Sequence, residues 1–420
     1  MFKKKIPVWA LIVSLLLAIL ITFQVTFVLT VKRQDDGNIS HGVAKDEGSA
    51  DFIGRVTEKL TEYDAEFRKN YIGEIDNDAL IDSVLKGYAA GTGDKYADYY
   101  NKEDYKEYMS EMTGETEGIG VNVIYNEEYR CIEVVTVFPD SPAQDAGLLP
   151  GDLIVYVGEE KTPVSELGYY PAIAKLRGKS GTEAVFTVAR GDGYGETLEI
   201  RLTRAPIKAV SVYSHVYEAD KSVGVVKISG FDSQTPVQFT EALEELVGKG
   251  CDKFVFDLRY NPGGELNSIV TTLDYLVPEG PIIRIFDSED NEVERMNSDK
   301  SEFDYPMAVL VNGSTASAAE LFTSTLRDYD KAVIVGTTTY GKGCMQTLLP
   351  LSDGDAFTVT YRMYKPPFSE SYHGIGIVPD IEVELDESLK DKNSFKITDE
   401  EDNQLHEAVK ALTEPKKDKK

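Results

Sequence analysis

The sequence predicts an α/β core that carries an inserted β-rich unit and an N-terminal helical segment, behind one transmembrane helix. Three observations predict this. From residue 207 onward, short apolar strand-like runs alternate with amphipathic helical stretches, the pattern of an α/β domain. Ahead of them, residues 117–205 hold short alternating runs set off by Gly and Pro turns. At the N-terminus, Lys3, Lys4 and Lys5 precede residues 6–31, an uncharged apolar stretch long enough to span a bilayer.

The lysines favour a cytoplasmic N-terminus, although Lys32 and Arg33 weaken the bias. No A-x-A-like site closes the run, so residues 1–33 are read as an uncleaved signal-anchor. Everything after residue 34 is then expected outside the cytoplasm, on a single-pass membrane protein. The 420 residues leave room for two or three domains with real cores. A net charge of -28 argues against nucleic acid as a partner, because binding phosphate needs a basic face. Cys131, Cys251 and Cys344 are odd in number, far apart and without metal spacing, so neither a disulfide framework nor a metal site is expected.

Residues 34–50 are polar, without periodicity, and read as a linker. Residues 51–115 read as a helical region. Leu80, Ile81, Val84, Leu85 and Tyr88 share one helical face, whose default role is packing or self-association. In residues 117–205, Gly118-Ile-Gly-Val121 leads into alternating apolar positions. A strand over 132–137, the run SPAQDAGLLPGDLIVYVGEE at 141–160, a helix around 166–176 and strands over 184–189 and 197–203 follow. In strand order and in these motifs the unit resembles a PDZ domain. The resemblance implies that Gly118, Ile119, Gly120 and Val121 offer N–H groups to a peptide C-terminal carboxylate, the peptide adding as a strand. Read structurally, the same glycines only make a tight turn.

Residues 207–390 form the α/β core. Val223–Ile228 reads as a strand, and Thr235-Pro236 opens a helix with Pro at its first position. A strand over 254–258 runs into Arg259-Tyr-Asn-Pro-Gly-Gly264, with a helix after it to 277. Met307–Val311, 331–335 and 357–361 are further strands. Residues 391–420 hold one amphipathic helix, around 404–412, and a basic end at 416–420 that reads as a solvated tail.

The chemistry concentrates in Asn312-Gly-Ser-Thr-Ala-Ser317-Ala-Ala-Glu320 and Tyr340-Gly-Lys342-Gly-Cys-Met-Gln346. Ser317 to Glu320 spells a capping box, which accounts for the serine structurally. The same place puts its hydroxyl beside free N–H groups and the positive end of a helix, which stabilise a developing oxyanion. The chain has four histidines, and only His215 and His373 lie in segments where they could serve as base. Lys342 is the other candidate. To act it must be neutral, which costs about 4 kcal/mol of destabilised charge for a shift of about 3 pKa units. The flanking Gly341 and Gly343 allow close packing, and Gln346 offers a neutral amide that would hold the amine without keeping it charged. Gly336 to Gly343 approaches the phosphate-loop pattern G-x-x-x-x-G-K-[ST], but Gly343 replaces the Mg²⁺ ligand and no helix is expected to follow. Gly263 or Gly264 could supply a second oxyanion N–H beside that of Ala318.

In combination, the PDZ-like unit and these motifs, with Asp257-Leu-Arg-Tyr-Asn-Pro-Gly-Gly264 and the closing Gly374-Ile-Gly-Ile-Val-Pro-Asp380, resemble the carboxy-terminal processing peptidases. These are membrane-tethered or exported serine endopeptidases of bacteria and plastids. The resemblance covers nearly everything after residue 50 and implies an α/β protease core with an inserted PDZ-like β-rich domain. It implies Ser317 as nucleophile, Lys342 as general base and Gln346 as the residue that positions the lysine. It further implies an oxyanion hole from Ala318 and the Gly263-Gly264 turn, and Arg177 as a residue coupling peptide binding to the site. No metal or cofactor is implied. The expected substrates are unfolded or flexible protein C-terminal tails, and the N- and C-terminal helical segments are expected to form a homodimer. Thr315, Ala319, Cys344, Met345 and residues 365–372 depart from the common pattern and leave subsite preference open. The alternatives are a PDZ-type scaffold that binds peptide without cutting, and a Ser/His hydrolase using His215 or His373.

Overall fold

The computed structural model describes residues 47–191, 195–299, 302–390 and 392–413. The anchor predicted over 1–33, most of the linker and the basic end lie outside these residues. Among the described residues no helix is long and apolar enough to cross a membrane. The chain divides into two units, Met1–Asn77 and Asp78–Lys420. The border falls inside the stretch predicted as one helical region.

In the first unit, α1 (Glu47–Asn70) carries Arg55–Asp51 and Arg68–Asp64 pairs one turn apart. Phe52, Ile53, Leu60, Tyr63 and Phe67 on this helix are exposed. The second unit opens on α2 (Asn77–Gly91), none of whose residues is buried. The predicted face, Leu80 to Tyr88, is therefore exposed as well. Gly93, at φ 85°, follows the helix end, and β1 (Asp98–Tyr100) interrupts the expected helical run. Asn101 then caps α3 (Lys102–Thr113), and Gly114, at φ 63°, stops it before β2 (Glu115–Gly118).

The β-rich unit follows as β3 (Val121–Asn126), β4 (Cys131–Val137), α4 (Pro142–Asp145), β5 (Leu153–Val157), β6 (Thr162–Pro163), α5 (Val164–Leu167), α6 (Tyr169–Leu176), β7 (Glu183–Arg190), β8 (Glu196–Thr203) and β9 (Ala205–Lys208). Its sheet runs β3-β4-β5-β7-β8, antiparallel throughout, with β6 on β5. Ile132, Val134, Ile154, Val157, Phe186 and Val188 fill its own core. The single helix expected at 166–176 is two, because Gly168 at φ 80° breaks it. The chain enters and leaves on paired strands, since β2 and β9 are antiparallel neighbours from Glu115↔Lys208 to Gly118↔Ala205.

The core adds β10 (Val212–Val216), β11 (Val223–Ile228), α7 (Thr235–Gly248), β12 (Lys253–Asp257), α8 (Leu266–Asp274), β13 (Gly280–Phe286), β14 (Glu292–Ser298), β15 (Met307–Val311), α9 (Ala318–Asp328), β16 (Ala332–Gly336), β17 (Cys344–Pro350), β18 (Ala356–Lys365), β19 (Ile381–Glu382) and α10 (Asn403–Thr413). The main sheet runs β10-β11-β12-β15-β16-β19. Only the first pair is antiparallel. Its strands are apolar on both faces because both are covered. Phe254, Phe256 and Val309 pack on one side with Phe239, Leu243, Ile269 and Phe322 from α7, α8 and α9. Val255, Ala308 and Leu310 face Leu405, Ala408 and Val409 of α10 on the other. A second sheet runs β1-β18-β13-β14, with β17 paired to β18. Three adjacent parallel strands, β12, β15 and β16, thus deliver the turns holding Gly263, Ser317 and Lys342 to one carboxyl edge of the main sheet, where α/β domains place their sites.

Candidate active site

Ser317 sits between β15 and α9 with φ 56° and ψ -118°. This is a sparsely populated conformation for a residue with a side chain, costing about 1–3 kcal/mol. Its neighbours hold it there. Ala316 N–H donates to the Asn261 carbonyl (2.9 Å). A Cβ on Gly263 would lie 2.7 Å from Ser317 Cβ and 2.9 Å from Ala318 N, so only glycine fits against the serine. Gly263 takes φ 103° and Gly264 φ 145°. Asn261, fully buried, fixes this turn by donating to the Ile228 carbonyl (2.9 Å) and accepting from Gly263 N–H (2.8 Å). The Gly263 N–H is therefore engaged. Among the described residues the N–H groups of Gly264 and Ala318 meet no acceptor.

The turn itself is anchored from below. Arg259, 5% exposed, bonds Asp257 and Asp402 through both carboxylates, and Gln404 besides. Burial works to raise the Asp257 pKa, but Arg259 and Lys227 overcome it and hold the group well below the usual carboxylate range. By sequence, Arg259 is only the first residue of the run that ends the strand over 254–258. In the fold it ties that turn to the start of α10.

Glu320 links serine to lysine. Its side chain is fully buried and has no ion-pair partner among the described residues. It accepts from Ser317 N–H (3.0 Å), Gly341 N–H (2.6 Å), Lys342 N–H (2.7 Å) and the Thr339 hydroxyl (2.5 Å). The capping box is present, but the carboxylate does more than cap, since it draws the Lys342 turn onto the start of α9. Sequence reasoning gave Glu320 only the capping role. The signal it passed over was a charged residue inside the apolar run Ala318 to Phe322.

The Lys342 carbonyl accepts from the Tyr364 hydroxyl (2.8 Å), which in turn accepts from Tyr372 (3.0 Å). Burial pushes the Tyr364 phenol up, and the Ser317 hydroxyl beside it works the other way. The Lys342 amine lies over the Tyr96 ring, 4.9 Å from its centroid, and makes no hydrogen bond or ion pair among the described residues. Burial holds it below the ordinary lysine range, with Cys344 and Asp94 pulling upward. Ser317 Oγ and Lys342 Nζ are not hydrogen-bonded to one another. Gln346 does not hold the amine as expected. Its Nε2 donates to Thr360 Oγ1 (3.2 Å) and Cys344 Sγ (3.4 Å). Cys344 is buried and unbridged, and burial pushes its thiol up, away from the thiolate a nucleophile needs.

Ser317, Ala318, Gly263, Gly264, Lys342 and Gln346 line one cleft of about 740 Å³. The other predicted positions lie elsewhere. Gly120, at φ 84°, leaves no room for a Cβ against Ser141, and the Ile119 and Gly120 carbonyls accept from Ala143 and Phe138 N–H. Gly118 closes β2 and Val121 opens β3. Arg177, just past α6, is ion-paired with Glu107 of α3. His215, on β10, bonds Asp399 (2.8 Å), and His373 Nδ1 accepts from Gly343 N–H (3.1 Å). Neither histidine lines the cleft. A strand follows Lys342, so the phosphate-loop helix is absent.

The comparisons with known proteins agree on a family. The model of Peptidase family S41 matches residues 222–383. The carboxy-terminal-processing protease of Bartonella bacilliformis is 32% identical over 323 residues, 76% of this chain and 72% of that protein. Carboxy-terminal processing protease CtpA of Bacillus subtilis is 29% identical over 378 residues, 90% of this chain and 78% of that protein. The crystal structure of an S41 protease from Bacteroides fragilis superposes with a TM-score of 0.53 at 17% identity, over 82% of this chain and 98% of that one, a likeness of fold alone. The chain belongs to peptidase family S41. It is a serine peptidase of the carboxy-terminal processing class.

Proposed function

We propose that the chain is a membrane-tethered, extracytoplasmic serine endopeptidase. It takes protein C-termini on residues 117–205, acting as a PDZ domain, and cuts with Ser317 and Lys342 through an acyl-enzyme. The observation that carries this reading is the strained serine at a helix start, tied by one buried carboxylate to a lysine whose charge is disfavoured by burial, in one cleft. Neutral Lys342 takes the Ser317 proton as Oγ attacks the peptide carbonyl. The N–H groups of Ala318 and Gly264, free of other acceptors, receive the oxyanion. As the C–N bond breaks, the lysinium returns its proton to the leaving amine. Lys342 then deprotonates water, which attacks the ester and frees Ser317.

Since Lys342 rests on the Tyr96 ring, its side chain must turn toward Ser317 before the first step. That fits a resting state relieved by substrate, with Gln346 holding the amine once it has turned. The Arg177–Glu107 pair spans the β-rich unit and α3, which supports a role for Arg177 in passing on tail binding. Apolar Leu266, Ile269, Ile283 and Met345 line the cleft and suit apolar substrate side chains. The anchor rests on the uncharged run at 6–31, and a homodimer through the terminal helical segments on the exposed apolar residues of α1.

The test incubates residues 34–420 with an unfolded protein, beside Ser317→Ala, Lys342→Ala and His373→Ala, and follows fragments by mass spectrometry. Cleavage is expected in the parent and in His373→Ala only. Activity surviving Lys342→Ala overturns the Ser/Lys reading. The unbonded Ser317–Lys342 pair also fits a silent peptide-binding scaffold. An intact substrate even after adding a C-terminal peptide would favour that reading. Amidating the peptide's C-terminus is expected to weaken its binding, and unchanged affinity refutes carboxylate capture.

A further inference from the structure

The loop ahead of β1 reaches the lysine from outside the two sequence motifs. Asp94 accepts from Thr360 N–H (2.8 Å) and from the Thr360 hydroxyl (2.9 Å). The same Thr360 oxygen accepts from Gln346 Nε2 (3.2 Å). Asp94 thus fixes Gln346 through one intermediate. Two residues on, Tyr96 lays its ring under the Lys342 amine. The loop cannot drift from these positions easily. The Asp94 carboxylate also takes Tyr96 N–H (3.0 Å), and β1 pairs with β18 from Asp98↔Thr358 to Tyr100↔Ala356.

We propose that Asp94 and Tyr96 are positioning residues of the active site, Asp94 by holding Gln346 through Thr360 and Tyr96 by shielding the Lys342 amine from water. The proposal rests on the Ser/Lys reading above. The two residues act on the lysine with opposite sign. The Asp94 charge favours the ammonium, whereas the Tyr96 ring keeps water from it and so favours the neutral amine. The ring also attracts a cation, but water does so more strongly, so exclusion of water decides the sign. The other charged or titratable groups around the lysine include Lys95 on the loop, Glu320 from α9, Cys344 at the start of β17, and Tyr364 and His373 from β18 and beyond. The substitutions below leave all of them in place. Asp94 does not line the cleft, so its loss should act on turnover and leave substrate binding alone.

The experiment measures kcat, KM and the pH dependence of kcat/KM for the full chain on an unfolded protein substrate. Asp94→Ala is expected to lower kcat by about tenfold at nearly constant KM, as expected of lost orientation. Its acid limb should move to lower pH. Asp94→Asn, which keeps an acceptor for Thr360, should recover much of kcat while the limb stays low. Thr360→Val should lower kcat without moving the limb. Tyr96→Ala should move the acid limb up by about half a pH unit or more, and Tyr96→Phe should leave it in place. Should Tyr96→Ala not fold, Tyr96→Gln replaces it. Limbs that stay put, or move together in Asp94 and Tyr96 variants, overturn the proposal and leave the loop a structural support. Lys342→Ala runs alongside. Activity in that variant removes the Ser/Lys reading itself, whereas an inactive Lys342→Ala with unmoved limbs removes only the positioning role.

Discussion

Glu320→Gln should separate the structural and catalytic work of the carboxylate that joins serine to lysine. Glu320 accepts four hydrogen bonds, three of them from backbone N–H groups, and is fully buried. Glutamine keeps the volume and one oxygen. Its amide nitrogen would face donors, so at least one N–H of Ser317, Gly341 or Lys342 loses its acceptor. Each hydrogen bond to a charged group is worth about 1.5–3 kcal/mol, and a stranded buried donor costs about 1–3 kcal/mol. Because the bonds share one carboxylate they do not add, and a loss of about 3–4 kcal/mol of folding stability is expected. The strain at Ser317, about 1–3 kcal/mol, is then no longer held. The serine should relax, and kcat should fall by about a hundredfold, or about 2.7 kcal/mol of transition-state stabilisation. Urea denaturation gives the first number. Peptide-cleavage kinetics below the unfolding transition give the second. A Glu320→Gln protein with parental kcat and parental midpoint would refute the idea that this carboxylate sets the serine–lysine geometry.

Three further outcomes follow from the same geometry. Gly263→Ala should abolish cleavage with a smaller effect on the midpoint, since its Cβ would meet Ser317 Cβ at 2.7 Å; labelling by a serine-directed phosphonate reads the loss. Cleavage by the parent should rise with pH as Lys342 loses its proton, with a limb below the ordinary lysine value of about 10.4; a pH profile with no such limb contradicts the mechanism. Asp257 has a depressed folded pKa, so its contribution is present above about pH 4 and is lost as pH falls through the depressed value. Arg259→Leu should cost about 3–5 kcal/mol by leaving Asp257 and Asp402 buried without it, and should flatten the acid dependence of stability measured by urea titration.

Much of the site was legible because chemistry and secondary structure share a signal there. The helix start at Ser317 and the turn at Lys342 are written in local residues, and so is the Gly263-Gly264 turn. Strands such as Val223–Ile228 and Met307–Val311 have the bounds the sequence predicted, because they are apolar runs with sharp flanks. What was not legible comes from long-range pairing. β1 lies in a tyrosine-rich stretch that looks helical, and it is a strand because β18 supplies its partner. β14, Glu292–Ser298, is mostly exposed and carries Glu292, Glu294 and Arg295, so no apolar alternation marks it. Asn261 was named only as part of a turn, and its part in consuming the Gly263 N–H needed coordinates. Gln346 pointed at Lys342 by spacing alone, yet it lies on a strand, β17, where Thr360 of the neighbouring β18 competes for its amide.

The pairing of β2 with β9 has a mechanical meaning. The two strands form a short stem from which the whole β-rich unit hangs, and both run out of the core side by side. A pull on that unit loads the two strands in the same direction, so their ladder is not sheared. At the tip of the stem Gly118 and Gly120 are buried, and Gly120 packs against Ser141, so the joint is filled. Its outer ends, Gly118 and Ala205, are direct partners, with Cα atoms about 5 Å apart, so a tight two-residue turn could bridge them. The unit is therefore joined covalently to the core at one place, with the Arg177–Glu107 and Lys396–Glu133 pairs as further contacts, and its removal would leave the strand order of the core sheet unbroken.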